Sequence, residues 1–368
     1  MDTSTPERER LDPQILAKAD DAIRKTMPTV LSFMVVRHDL IVYEKYYHGN
    51  NPDSLVVVYS VTKSVISALT GIAIRDRHLP SVDKKLTDIF PQYFTDNSDP
   101  RKREITVKHL LTMTAGLEVA DDEAWLKSAD GCKYVIDRPL AYNPGQKFGY
   151  NNGLTNLLSV ILTKTTGMTT KEFADNHLFG PLGISNYTRA RGPQGYYIGG
   201  WGLRLTPRDI AKFGYLYLRE GMHDGQQLVP RQWVQESVAS HSYPEKTDSY
   251  GYAWWLDKLE DRIHGKKYQA FLALGYGGQF IWVVPELDIV TVITVKEESP
   301  EDRPEYSDVW HLIHNYVLPG VGKRKENGIR GGDGGEGGIR THGSLTATSA
   351  FQTLLLGLCS TSPLVMTA

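Results

Sequence analysis

The stretch VVVYSVTKSVISALTGIAIRD places a hydroxyl and an amine three residues apart, in Ser60-Val-Thr-Lys63. A serine hydroxyl is a weak nucleophile at neutral pH and needs a neighbouring base to take its proton. At the first turn of a helix, side chains three apart share a face with Cβ atoms about 5 to 6 Å apart, so the amine reaches the hydroxyl. Helix N-terminal N–H groups and the dipole favour negative charge where an oxyanion would form. An apolar run, Val56 to Tyr59, precedes Ser60 and an apolar helix follows it. Burial of that kind depresses a lysine pKa towards the range of a working base. On these residues alone, a helix-capping serine with a surface lysine is an equal reading. The spacing recurs at Ser81-Val-Asp-Lys84, but within RHLPSVDKKL a lysine is solvated and protonated, so that copy reads as a surface turn or cap.

Two further stretches carry candidate chemistry. Tyr150-Asn151-Asn152 lies in NPGQKFGYNNG, a Gly/Pro-bounded loop before a helix, where side chains can project into a cleft. A tyrosine hydroxyl near a lysine amine relays a proton to a leaving group, and an asparagine amide orients a substrate carbonyl. Taken alone, the loop reads as structural. Leu274-Gly275-Tyr276-Gly277-Gly278-Gln279 runs into the strand-like FIWVVPELDIVTVIT. Glycines there let a ligand approach the backbone, and an edge N–H offers a second oxyanion donor; the bland alternative is a bulge or hairpin turn.

The elements that must hold these residues are legible in outline. Residues 29 to 47 form two β-branched and aromatic runs around Arg37, His38 and Asp39, a β-hairpin pattern. Residues 61 to 76 carry apolar side chains at helical spacing, and helical segments punctuated by Gly, Pro and Asn fill the middle of the chain. Strand character returns in YAWWLD, QFIWVVP and DIVTVITV, before a closing helix in YSDVWHLIHNYVLPG. Strands at both ends with helices between predict an α/β fold of α+β type. One antiparallel sheet is built from both termini and flanked by helices, with a mostly helical insertion between about residues 80 and 200. The division expected is an N-terminal extension (1–25), one domain (26–320) and a tail (321–368). That tail is too glycine-rich to pack, and its apolar end, FQTLLLGLCSTSPLVMTA, is broken by Gly357 and Pro363 and reads as sticky disorder.

Composition sets the boundaries. The 368 residues are 40% hydrophobic and 23% charged, with a net charge of -2. These are values of a globular protein, with no basic patch to favour nucleic acid. Cys132 and Cys359 make neither a metal spacing nor a disulfide framework. With charge at the N-terminus and no apolar run of membrane length, the expectation is a soluble, by default cytoplasmic, protein without a stable membrane anchor. His109, His177 and His311 lack a metal spacing and read as packed or surface residues, and Trp254-Trp255 as core or cleft wall.

Ser60-x-x-Lys63, Tyr150-x-Asn152 and the glycine-rich strand entry, in this order, resemble the serine β-lactamase and penicillin-binding-protein superfamily. The likeness is greatest to the class C-like branch of carboxylesterases, D-aminopeptidases and 6-aminohexanoate-dimer hydrolases. HLLTMTAGL, PGQKFGYNN, FGPLGI and GGWGLRLTPRDIAKFG fit the same branch, and the likeness spans about residues 30 to 318. The resemblance implies a β-lactamase/transpeptidase-like fold without metal or organic cofactor. By it Ser60 is the acylated nucleophile, Lys63 its base, Tyr150 a proton relay and Asn152 a holder of the substrate amide or carbonyl. The N–H groups of Ser60 and Gln279 form the oxyanion hole, beside Gly278. Where penicillin-recognising members carry Lys or His, this chain has Tyr276, which gives a β-lactam carboxylate no positive charge. Tyr276, with Trp201 as a second wall, suits a neutral or aromatic-contacting acyl group. The leading expectation is a hydrolase of small esters, amides or peptide-like substrates. A β-lactamase or D-amino-acid peptidase and a catalytically silent binding protein are the alternatives.

Overall fold

Segments from opposite ends of the chain meet in one eight-stranded sheet. The structure is a computed structural model and describes residues 1–321 except 95–98, 246–248, 262–264 and 297–305. The N-terminal part supplies β1 (Asp2–Thr3), helix α1 (Pro13–Thr26) and the hairpin of β2 (Val30–Arg37) and β3 (Leu40–Tyr46). Its turn is His38-Asp39, at φ 53° and 68°, the left-handed pair that matches the twist of a two-residue hairpin.

β4 (Val56–Val57) leads into α2 (Val61–Arg75). The expected helical insertion follows as α3 (Leu86–Ile89), α4 (Val107–Leu111), α5 (Asp122–Lys127), α6 (Gly131–Ile136), α7 (Asn152–Thr166) and α8 (Thr170–Ala174). β5 (Thr188–Arg189) and β6 (Leu203–Leu205) join β4 in a small sheet of order β4-β6-β5. The chain then forms α9 (Pro207–Leu218), a short hairpin of β7 (Met222–His223) and β8 (Gln226–Gln227), and α10 (Arg231–Ser237). Five strands return to the large sheet: β9 (Ser249–Tyr250), β10 (Trp255–Asp261), β11 (Lys266–Gly275), β12 (Gln279–Val284) and β13 (Ile289–Val295). α11 (Tyr306–Leu312), continued by a π-turn over Ile313–Val317, closes the fold.

The large sheet runs β1-β3-β2-β13-β12-β11-β10-β9, with every pairing antiparallel except β1 beside β3. At its centre Phe33 faces Ile293, and the buried Ser32 and Thr294 hydroxyls meet at 2.6 Å. β11 was not among the expected strands: KKYQA is polar and exposed for most of its length, so the strand shows its apolar character only in the second half.

The segment read as an N-terminal extension carries β1 and most of α1. Asp12 caps α1 by accepting from Gln14 N and Ile15 N, and the helix buries Leu16, Ala19 and Ile23 against the C-terminal π-turn. The glycine-rich tail lies outside the described residues. The helix that matters most to the site is α2, buried continuously from Val61 to Ala73 between α7 and strands β11 and β12. A helix enclosed on all sides needs no solvent-facing polar stripe; the polar residues in the buried run, Thr62, Ser64, Ser67 and Thr70, are small hydroxyls, and Lys63 is its one charged side chain.

Candidate active site

Ser60 is the N-cap residue of α2, yet its side chain makes no capping bond. Lys63, one turn on, is only 1% exposed. Its Nζ lies 2.8 Å from Ser60 Oγ, 2.7 Å from Asn152 Oδ1 and 2.7 Å from the Gly200 carbonyl oxygen. The reading as a capping serine with a surface lysine therefore fails at both residues. The second Ser-x-x-Lys is what it looked like, with Lys84 paired to Asp88 at 2.9 Å on the surface.

Burial lowers the Lys63 amine from its ordinary 10.5 to about 7, against a raising pull from the Asp122 carboxylate. The three neighbours of Nζ then decide which way it works. Asn152 Oδ1 and the Gly200 carbonyl can only accept. A neutral amine gives its two N–H groups to them, which leaves its lone pair facing the Ser60 hydroxyl. In that state Ser60 donates to Lys63.

The second motif is placed by α7. Asn151 caps that helix, its Oδ1 accepting from Gly153 N at 2.9 Å, so Asn152 is the first helical residue and points back to α2. Its Nδ2 donates to Asp122 Oδ2 at 2.6 Å, from the first turn of α5. One turn along α7, on the same face, Asn156 Oδ1 accepts from Gly199 N and Gly200 N at 3.0 and 2.9 Å. That clamp aims the Gly200 carbonyl at Lys63. It also needs Gly199, where a Cβ would sit 2.0 Å from the Thr155 carbonyl oxygen.

Aromatic rings line up around this core. Lys63 Nζ lies 4.8 Å from the Tyr150 ring centroid, and Tyr150 stacks on Trp255 at 5.9 Å. Tyr59, immediately before Ser60, holds a left-handed φ of 46°, and its ring packs at 5.4 Å on Tyr276. A non-glycine residue in that region is strained and persists only where its surroundings fix it. Trp201 meets Trp125 edge-on at 5.6 Å. The tandem tryptophans divide their work: Trp254 packs into the core against Tyr217 and Phe271, and Trp255 forms the wall behind Tyr150.

The third motif is the β11–β12 hairpin. Gly277 and Gly278 take φ 79° and 108° in its turn, and Gly278 N donates to Gly275 O at 3.3 Å. The Gln279 side chain bridges the Val295 backbone, donating to its oxygen at 2.8 Å and accepting from its nitrogen at 3.2 Å. Only the backbone of Gln279 is left to face a substrate. Gly275 lets this hairpin close on the segment before the nucleophile, since a Cβ there would sit 2.3 Å from the Val58 carbonyl oxygen. Because backbone cannot swing aside, Gly275→Ala is expected to destabilise the fold by about 1–3 kcal/mol, as overpacking does. It should also lower turnover by moving Ser60. Thermal unfolding and an ester assay on the same sample check both.

Asp122, Asn156, Gly200 and Trp125 were not among the sequence candidates. Asp122 sits in Asp121-Asp122-Glu123, an acidic helix start whose first member is an ordinary N-cap, accepting from Ala124 N at 2.7 Å. Gly200 acts through its carbonyl, which has no sequence signature. His109 caps α4 through Thr106 N, and His177 faces Asp76. Among the described residues no group of three or more His, Cys, Asp and Glu is placed to hold a metal, and no helix is long and apolar enough to cross a membrane.

Comparison with known proteins bears on the family and the fold. The chain is 23% identical over 321 residues to the 6-aminohexanoate-dimer hydrolase of Paenarthrobacter ureafaciens, covering 79% of this chain and 78% of that one. A lovastatin esterase of Penicillium rubens is 28% identical over 158 residues, 36% of this chain and 39% of the esterase. The fold matches that of a D-stereospecific amidohydrolase from Streptomyces with a TM-score of 0.63 at 16% identity, over 82% of this chain and 98% of the other. The sheet with its helical insertion is thus the β-lactamase/transpeptidase-like fold. The Beta-lactamase family model matches residues 19–314, from within α1 to the closing helical turn, and the chain belongs to that family.

Proposed function

We propose that the protein is a serine hydrolase that cleaves ester or amide bonds of small, uncharged acyl substrates through an acyl-enzyme on Ser60. The observation that carries this reading is the buried Lys63 amine, within 2.7–2.8 Å of two pure acceptors and of the Ser60 hydroxyl, so that in its neutral form the lone pair is left for that hydroxyl. Lys63 takes the Ser60 proton as Oγ bonds to the substrate carbonyl carbon. The oxyanion is held by the N–H groups of Ser60 and Gln279. Tyr150, whose ring lies against the Lys63 amine, passes that proton to the departing alcohol or amine as its bond to carbon breaks. A water then attacks the acyl-enzyme, gives its proton back along the same route, and the acid leaves as Ser60 regains its hydrogen. Asn152 commits one Nδ2 hydrogen to Asp122 and has a second to offer a substrate carbonyl.

The surroundings favour an uncharged substrate. Tyr276 and Trp201 offer ring surface, and Asp122 adds a carboxylate nearby, so an anionic β-lactam gains nothing here. The test is to mix the purified protein with a short-chain p-nitrophenyl ester and follow release of p-nitrophenol and intact mass together. The expected result is turnover with a transient mass increase of one acyl group, mapped by peptide digestion to Ser60. Acylation elsewhere, or faster hydrolysis of a cephalosporin than of every neutral ester and amide in a panel, would overturn the reading.

A further inference from the structure

We infer that Asp122 is a positioning residue: through the Asn152 amide it fixes which end of that amide faces Lys63, and it sets a carboxylate one amide away from the Lys63 amine. This rests on the serine hydrolase reading above for its meaning, and on geometry for its content. The chain of contacts is Asp122 Oδ2, Asn152 Nδ2 at 2.6 Å, then Asn152 Oδ1 and Lys63 Nζ at 2.7 Å.

An amide has a donor end and an acceptor end, and it can turn over. In the observed orientation the NH2 group meets a carboxylate, which only accepts, and the carbonyl oxygen meets an amine that donates. Turned over, the amide would set its oxygen against the carboxylate and its N–H groups against the amine that needs an acceptor. Two hydrogen bonds would become two repulsions. Without Asp122 only the Lys63 contact selects the orientation, and the substrate-facing hydrogen of Nδ2 loses its fixed direction.

The second effect is electrostatic. Asp122 is half-buried, and the groups facing it are Asn152, Lys63 and the neighbouring Asp121. Lys63 is enclosed by Ser60, Asn152, the Gly200 carbonyl and the Tyr150 ring, and Asp122 is the charged group acting on it. The Asp122 carboxylate, one amide away, favours the ammonium form and so opposes the lowering of the Lys63 pKa by burial. The same charge then helps to hold the ammonium that forms when Ser60 gives up its proton.

The two effects separate by substitution. Asp122→Asn can still accept from Asn152 through its own amide oxygen but has no charge; Asp122→Ala has neither. For Asp122→Asn the acidic limb of kcat/KM against pH is expected to move down by about one pH unit, with the plateau within a few-fold of the parent. For Asp122→Ala the limb moves likewise and the plateau kcat falls by about tenfold or more, because the Asn152 amide is released. A direct readout needs no turnover. In protein labelled with 13C at lysine Cε, and assigned by the signal lost in Lys63→Arg, the Lys63 resonance should titrate at lower pH in Asp122→Asn than in the parent. An unmoved Lys63 titration in Asp122→Asn overturns the electrostatic role, and an Asp122→Ala plateau equal to that of Asp122→Asn overturns the orienting role. If the enzyme proves to hydrolyse nothing through Ser60, the titration still reads the coupling, so failure of the hydrolase reading and failure of this one are distinguishable.

Discussion

Lys63→Met is expected to lower kcat/KM for a p-nitrophenyl ester by about 10³-fold or more, within the upper range of what a general base contributes. Methionine fills the same buried volume without an amine, so Ser60 keeps its place on α2 and loses its proton acceptor. In the parent, the amine must be neutral to act. With its pKa lowered to about 7 by burial, kcat/KM should rise with pH through about 7 and level off above it; in Lys63→Met that limb disappears. A plateau rate within tenfold of the parent would remove Lys63 from the base role.

The same substitution has a stability consequence of known sign. The folded pKa of Lys63 lies below the unfolded value of 10.5, so between about 7 and 10.5 the unfolded chain binds the extra proton. Stability contributed through this group therefore rises with pH across that window, and its cost is fully present below it. At pH 6.5 Lys63→Met should unfold no earlier than the parent despite losing three hydrogen bonds, since replacing a buried, unpaired-by-contact cation with an apolar chain relieves the desolvation that lowered the pKa. Thermal unfolding at pH 6.5 and pH 10 checks the trend: the advantage of the variant shrinks at the higher pH.

Ser60→Ala is expected to abolish acylation and to reduce turnover by about 10⁴-fold or more, while the fold persists. Its hydroxyl caps no helix and meets Lys63 at 2.8 Å, so removing it leaves the backbone of α2 as it is. The variant should show no mass adduct with the ester and unchanged thermal unfolding. Parent-like turnover in Ser60→Ala would mean that another group carries the reaction.

Much of this was legible because chemistry that depends on helix geometry leaves a local trace. Ser60 and Lys63 are one turn apart, and the His38-Asp39 hairpin and the buried run of α2 follow from period and turn residues. What the sequence could not display is contact through space. Asn152 reaches Lys63 across 89 residues and Gly200 reaches it across 137; Asp122 hides behind the acidic composition of any helix start. For Gln279 the glycine-rich run points to the backbone N–H; that its side chain is held by the Val295 backbone is again a contact through space. Tyr276 was legible only as a residue type, a ring in place of a cation; that it packs on Tyr59, the residue before Ser60, is a contact through space that the sequence does not display.

The central pairing of the large sheet bears on how the chain is made. Ser32 of β2 and Thr294 of β13, joined at 2.6 Å, are 262 residues apart. At a synthesis rate of about 5 to 20 residues per second, the hairpin of β2 and β3 waits roughly 13 to 50 seconds on the ribosome for its partner strand. Throughout that interval β2, which the finished fold buries along its whole length, presents an unpaired apolar edge, the kind that invites association with other chains. The helices between can form from local contacts, but the sheet that α2 rests on is completed only at the end. High contact order of this kind makes folding slow, so the ordering of the catalytic helix is coupled to one of the last strands to leave the ribosome.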